Sequence, residues 1–182
     1  MAMSYVERAA AAGVTGFLHP CEAEKLPELA QGRVCLEVGA FEGYSTWLMA
    51  QTAVSVFSVD TFQANTAGTV QMDELTTLDK YKRTIEGLPN VDYYIGTSAL
   101  YAATARRDKQ EYDLIFLDAD HSYEAVKQDI ALWWPRLKDG GIMAFHDYHP
   151  EHSYFPGVYQ AVTERFGELP NREITLGWMV KE

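Results

Sequence analysis

Five short apolar runs alternate with helical patterns along this chain, and that alternation restricts the fold more than any other feature of the sequence. The runs are RVCLEVG (33–39), VSVFSVD (54–60), VDYYIG (91–96), YDLIFLD (112–118) and GGIMAFHD (140–147). Helical stretches follow them: YSTWLMAQ, LDKYKRTIEGL, SALYAATARR and SYEAVKQDIALWWPRLK. Runs such as Leu114–Leu117 lack polar alternation, so they read as strands buried on both faces of a parallel sheet. Right-handed crossovers between such strands give an α/β, doubly wound, mostly parallel sheet with helices on both faces. Ligands of these sheets sit at the carboxyl ends of the strands.

In the fourth helical stretch Val126, Ile130, Trp133 and Leu137 share one face, with Ser122 as N-cap and Gly140 just past the end. Residues 1–31 read as one or two helices broken between Gly13 and Pro20, and residues 32–182 as the α/β core of one domain spanning 1–182. VYQAVTERFG reads as a last helix and EITLGWMVKE as a final antiparallel edge strand. The polar, Thr-rich segment 61–79 exceeds a usual strand-to-helix connection and reads as a lid or a surface excursion.

The 182 residues carry 26 acidic and 15 basic side chains, a formal charge of -11, which opposes nucleic acid and anionic membranes as partners. A small-molecule partner is expected. The two cysteines, Cys21 and Cys35, are not in a Cys-x-x-Cys spacing, and no run approaches transmembrane length, so a reduced, cytoplasmic protein is expected. An aromatic, apolar N-terminal region is compatible with a homodimer.

Chemistry concentrates at the strand ends. In LEVGAFEGYST, Gly39 and Gly43 lie between a strand and a helix, where the backbone approaches a ligand closely. The spacing Glu-x-Gly-x-x-x-Gly differs from the dinucleotide fingerprint, and the carboxylate of Glu37 suits a cation better than a pyrophosphate. Asp60 closes the second run, where an acid accepts ribose hydroxyls. The fourth run ends in Asp118, Asp120 and His121, and the fifth in His146 and Asp147. Neighbouring strands would let Asp118, His146 and Asp147 share a divalent cation such as magnesium. An imidazole at His121, of ordinary pKa ~6.5, suits a general base.

With LEVGAFEGYSTWL, VFSVDTF and LIFLDADHSYEAVKQDIALWWPRLKDGGIMAFHDY in view, the chain resembles class I S-adenosylmethionine-dependent methyltransferases. The similar group contains macrocin O-methyltransferase and cephalosporin-hydroxylase-like proteins, and the resemblance runs from about Leu26 to Tyr148. It implies a Rossmann-like sheet binding S-adenosyl-L-methionine. Glu37, Gly39, Ala40, Phe41, Gly43 and Ser45 would line the methionine end, Asp60 with Thr61 the ribose, and Thr97 and Ser98 the adenine. It implies methyl transfer to a small hydroxylated acceptor, for which the strand ends themselves offer Asp118, His121 and Asp147 as catalytic residues. In the related metal-dependent enzymes the second pair is two acids or Asp-Asn, from which His146 departs. A nicotinamide-dependent oxidoreductase and a non-catalytic cofactor-binding protein are the alternatives.

Overall fold

A computed structural model describes residues 3–63, 76–105, 110–150 and 154–182. Most of the segment 61–79, expected as a lid or a surface excursion, lies outside these residues. The chain opens with α1 (Tyr5–Ala11) and α2 (Pro20–Ala30), each started by a capping box, Ser4 with Glu7 and His19 with Glu22. Then strand and helix alternate: β1 (Val34–Val38), α3 (Tyr44–Ala50), β2 (Ser55–Asp60), α4 (Thr77–Thr84), β3 (Val91–Ile95), α5 (Ser98–Ala105), β4 (Tyr112–Leu117), α6 (Tyr123–Trp133) and β5 (Leu137–Phe145). Finally come α7 (Pro156–Phe166), β6 (Asn171–Glu173) and β7 (Leu176–Val180).

The sheet order is β3-β2-β1-β4-β5-β7-β6. The β1–β5 pairings are parallel, and β7 runs antiparallel to both β5 and β6. The expected C-terminal strand is therefore a hairpin: Leu176–Val180 lies inside the sheet and the three-residue β6 takes the edge. Alternation along the central strands sends Leu36, Ile115 and Met143 into one core, against Val126, Ile130 and Trp133 of α6 and Val162 of α7. The opposite face carries Cys35, Leu114, Phe116 and Ala144 against Leu26, Leu29 and Met49 of α2 and α3. Burial on both faces is why these strands read as continuous apolar runs.

The fourth helix is shorter than its periodicity predicts. α6 stops at Trp133, Trp134–Arg136 form one 3₁₀ turn, and Leu137 already belongs to β5. Pro135 explains the stop, since it lacks an N–H and its ring excludes the preceding turn. Gly140, at φ 76, falls inside β5 where the register against β4 slips between Tyr112 and Leu114, so it serves a bulge and not a helix end.

Strand order reverses its direction of growth between β1 and β4. Sheets of this type bind ligands in the crevice outside such a point. The turns after β1 and β4 both open there.

Candidate active site

The turn after β1 is built by two contacts that leave little freedom. Gly39 has φ 92, and a Cβ at this position would lie 2.1 Å from the carbonyl oxygen of Asp118. The glycine is required because the end of β4 packs against it. Asp60, at the end of β2, accepts the amides of Ala40 at 2.7 Å and Phe41 at 2.9 Å through Oδ2, and that of Phe62 at 2.6 Å through Oδ1. Phe41 and Phe62 both have positive φ, 47 and 51, a backbone state that non-glycine residues occupy at a cost. Asp60 thus holds the turn in shape directly. The sequence points to ribose and gives no sign of these amides, because a carboxylate that binds a loop one crossover away leaves no local pattern.

Glu37 also differs from expectation. Its side chain is fully buried, and it accepts hydrogen bonds from the hydroxyls of Ser45 at 2.5 Å, Thr46 at 2.5 Å and Ser58 at 2.6 Å. Burial pushes its carboxyl up to about 7, against the pull of these donors. Glu37 joins β1, β2 and α3 from beneath the turn and does not reach its open side, while Ser45 is engaged with it.

Across the crevice, four ionisable side chains converge. His121 Nε2 lies 3.0 Å from Asp147 Oδ2 and 3.4 Å from Asp118 Oδ1. These contacts are not aligned as hydrogen bonds, which leaves that nitrogen buried without a directed partner. His146 Nδ1 lies 3.2 Å from both Asp118 Oδ1 and Asp147 Oδ2, and its Nε2 is 3.3 Å from Glu22. Asp147 has φ 56, so its side chain is aimed by an unusual backbone state that aspartate tolerates. Asp118, His121 and Asp147 each place a ligand atom within 4.8 Å of the others, a donor set suited to a divalent cation. His121 stands in this group, while the expected His146, 8% exposed, sets its Nδ1 against the same two aspartates and its Nε2 against Glu22. Phe155 stacks on His121 with ring centroids 4.1 Å apart. Asp120 accepts the amide of Ser122 at 2.8 Å, a turn role within its own loop.

The charges correct one expectation about His121. Burial alone lowers its pKa, but the carboxylates of Asp118 and Asp147 outweigh burial and lift it to about 9. At neutral pH the ring is therefore an imidazolium, and it becomes a base only when something else neutralises the two carboxylates. His146, opposed by burial and held by Asp118, Asp147 and Glu22, rises to about 12. Asp118 and Asp147 are lowered, against burial, by the two imidazoles.

These shifts set the pH dependence of stability. The contribution of Glu37 is full below 4.5 and lost as pH rises through about 7; that of His121 is full below 6.5 and lost through about 9. Glu22, drawn down to about 2 by hydrogen bonds that overcome burial, contributes above 4.5 and loses its effect as pH falls. The melting temperature is expected to peak near pH ~5 and to decline toward pH ~9, with His121→Asn flattening the upper part of that limb. A melting temperature that rises from pH 5 to 9 would contradict the assigned charges.

Other predicted residues are placed as follows. Thr97 and Ser98 stand at the carboxyl end of β3; Thr97 Oγ1 accepts the amide of Leu100 at 3.2 Å, and Ser98 Oγ accepts the Trp133 indole N–H at 2.8 Å. Thr61 Oγ1 accepts the Gln63 amide at 3.4 Å. Two residues escaped sequence reading. Asp129 lines a hollow of about 10 Å³ with Asp118, His121 and His146, and burial raises it to about 6. Glu22 reaches His146 from α2, and its sequence signal was the box His19-x-x-Glu22, which suggests only a helix start.

Residues 36–148 match the family described as a methyltransferase domain. The chain belongs to that family. Its sheet order is that of a class I methyltransferase, and the family match gives no support to the nicotinamide oxidoreductase alternative. Solved structures with the same architecture include the O-methyltransferase TomG of Streptomyces achromogenes, involved in tomaymycin synthesis and solved with S-adenosylmethionine. It is 16% identical, with 100% of this chain and 92% of that chain covered and a TM-score of 0.67. An O-methyltransferase from Bacillus cereus, in complex with S-adenosylhomocysteine, is 18% identical over 90% of this chain and 77% of that one, with a TM-score of 0.63. CalS11, a TDP-rhamnose 3'-O-methyltransferase of calicheamicin biosynthesis, is 14% identical over 87% and 77%, with a TM-score of 0.65. At these identities the likeness is one of fold. Among curated proteins, R132 of Acanthamoeba polyphaga mimivirus is 32% identical over 57 residues, 31% of this chain and 25% of that protein. The match thus spans a quarter of that relative's length. Among the described residues of the methyltransferase, no helix is long and apolar enough to cross a membrane.

Proposed function

We propose that this methyltransferase, acting as a single domain over 1–182, transfers the methyl group of S-adenosylmethionine to a hydroxyl of a small acceptor. The observation that carries the reading is the convergence of Asp118, His121 and Asp147 beside the turn after β1. The turn Gly39–Gly43, with Ala40, Phe41 and Ser45, receives the methionine end; Asp60 and Thr61 face the ribose, and Thr97 and Ser98 the adenine. Bound there, the cofactor supplies an activated methyl on a sulfonium cation. The acidic site and the ring of Phe41 are the complement such a cation requires.

In-line transfer depends on holding the acceptor oxygen behind the methyl group. Phe155, stacked on His121 and 40% exposed, offers a wall for the acceptor, and the carboxylates of Asp118 and Asp147 orient its hydroxyl by accepting a hydrogen bond from it. Asp118, His121 and Asp147 are also the residues that would hold a magnesium-like cation, which would acidify the hydroxyl. Held by Asp118 and Asp147 alone, such a cation would instead offset their charge, lower the pKa of His121 and leave that ring free to act as the base.

Thermal-shift titration tests the cofactor. S-adenosylhomocysteine at 100 times its Kd is expected to stabilise by about 2.7 kcal/mol, and NAD to leave the midpoint unmoved. Stabilisation by NAD alone overturns the reading. Formation of S-adenosylhomocysteine in the presence of hydroxylated acceptors is expected to rise with magnesium and fall with EDTA; full activity in excess EDTA removes the cation.

A further inference from the structure

The carboxylate of Glu22 is spent in a way that a helix cap does not explain. A glutamate at the third position of a capping box normally lies at the surface and accepts one amide. Glu22 does accept the His19 amide, at 2.8 Å, but its side chain is 1% exposed. Its Oε1 takes the amide of Thr175 at 2.7 Å, the Thr175 hydroxyl at 2.7 Å and the Leu176 amide at 3.1 Å. Its Oε2 faces His146 Nε2 at 3.3 Å. Burying a carboxylate costs several kcal/mol unless its partners repay it, so this degree of engagement implies a strong constraint on the partners.

Those partners converge from distant parts of the chain. Glu22 precedes the family-matched region 36–148, Thr175 follows it, and His146 lies within it. The turn that presents Thr175 contains Ile174 at φ 54, a β-branched residue in the left-handed region, and Glu22 bonds the two residues that follow. The Thr175 carbonyl in turn accepts the amide of Tyr148, two residues beyond His146. The hairpin β6–β7 and α2 are therefore fastened together at the carboxyl end of β5.

We propose that Glu22 is a positioning residue of the catalytic cluster: by accepting the Nε2–H of His146 it turns Nδ1 of that ring toward Asp118 and Asp147. The inference rests on the reading that this cluster performs the chemistry. An ionised carboxylate has no proton to give, so the proton in the Glu22–His146 contact belongs to the imidazole. With Nε2 so engaged, the ring presents Nδ1 at 3.2 Å to both aspartates, fixing their oxygens toward the crevice. This is the arrangement by which a carboxylate fixes the orientation of a functional histidine. It assigns α2 a part in the active site although none of its residues lies in the family-matched region.

Long-range ¹H–¹⁵N spectra of the imidazoles in ¹⁵N-labelled protein test the proposal, with His146 assigned by its disappearance in His146→Asn. In the wild type, His146 should show a protonated Nε2 whose proton exchanges slowly with water. In Glu22→Gln, whose amide oxygen still accepts from Thr175, that resonance should be lost or shifted to a rapidly exchanging position. Thr175→Val weakens the fastening without touching the His146 contact, and should lower the melting temperature while leaving the His146 signals in place. An unprotonated Nε2 in the wild type overturns the proposal without any variant, as does an unchanged His146 pattern in Glu22→Gln. Equal changes in Glu22→Gln and Thr175→Val would reduce Glu22 to a structural fastener and also overturn it. The S-adenosylhomocysteine thermal shift of the wild type, measured alongside, reports separately on whether the cofactor reading stands.

Discussion

Asp147→Asn is expected to lower the formation of S-adenosylhomocysteine with hydroxylated acceptors by ~10² or more while changing S-adenosylhomocysteine affinity by no more than about twofold. Asparagine tolerates the left-handed backbone at this position, where Asp147 has φ 56, so the turn after β5 is kept and only the charge is removed. The loss is large because Asp147 contacts both imidazoles, His121 at 3.0 Å and His146 at 3.2 Å, and belongs to the set able to hold a cation. The turn proposed to receive the cofactor packs against the backbone of Asp118 and not against Asp147, hence the expected insensitivity of product affinity. Removing one of the two carboxylates should also let the pKa of His121 fall from about 9 toward its ordinary value, which an NMR titration of the ring reads. Turnover within about threefold of wild type would separate Asp147 from the reaction.

The second large effect is on folding. Gly39→Ala places a Cβ 2.1 Å from the Asp118 carbonyl oxygen and 2.7 Å from Ala119 Cα, on a residue whose φ is 92. The obstacles are backbone, at the junction of two central parallel strands, so neither side can yield by a rotamer change. A loss of about 4 kcal/mol or more is expected, in the range reserved for severe core defects. For a chain of this length that corresponds to a fall of at least ~8 °C in melting temperature, or to no soluble protein. Gly13→Ala is the control, since it has a similar φ of 72 with nothing within 4 Å and isolates the conformational penalty from the clash. Equal losses in the two variants would show that close packing at Gly39 is not what requires the glycine.

What could be read from the sequence follows a simple division. Strands β1, β2, β4 and β5 were legible because burial on both faces removes polar residues from them, and that depends only on local composition. The end of α6 was misplaced because Leu137 continues the helical spacing while Pro135 cancels it, and the steric veto outranks the periodicity. The convergence of Asp118, His121 and Asp147 was legible because polar side chains at the ends of neighbouring parallel strands have a defined place in this architecture. The roles of Asp60, Glu37 and His146 were only half legible. Each side chain is at the expected strand end, but its partners are backbone amides, hydroxyls or a carboxylate from another element, and partnership across 20 or 124 positions leaves no spacing to detect. For the same reason Glu22 drew no attention in the sequence: its first bond is local and its other four are not.

The three bonds that Asp60 makes to the amides of Ala40, Phe41 and Phe62 carry a thermodynamic consequence. A turn already fixed before its ligand arrives gives up little further conformational entropy on binding, so more of the contact energy survives as affinity. Association should then proceed without a slow ordering phase, as a single exponential whose rate rises linearly with ligand concentration. Releasing one of those bonds would move the ordering cost from folding to binding, weakening the cofactor complex even if every atom that touches the cofactor stayed in place.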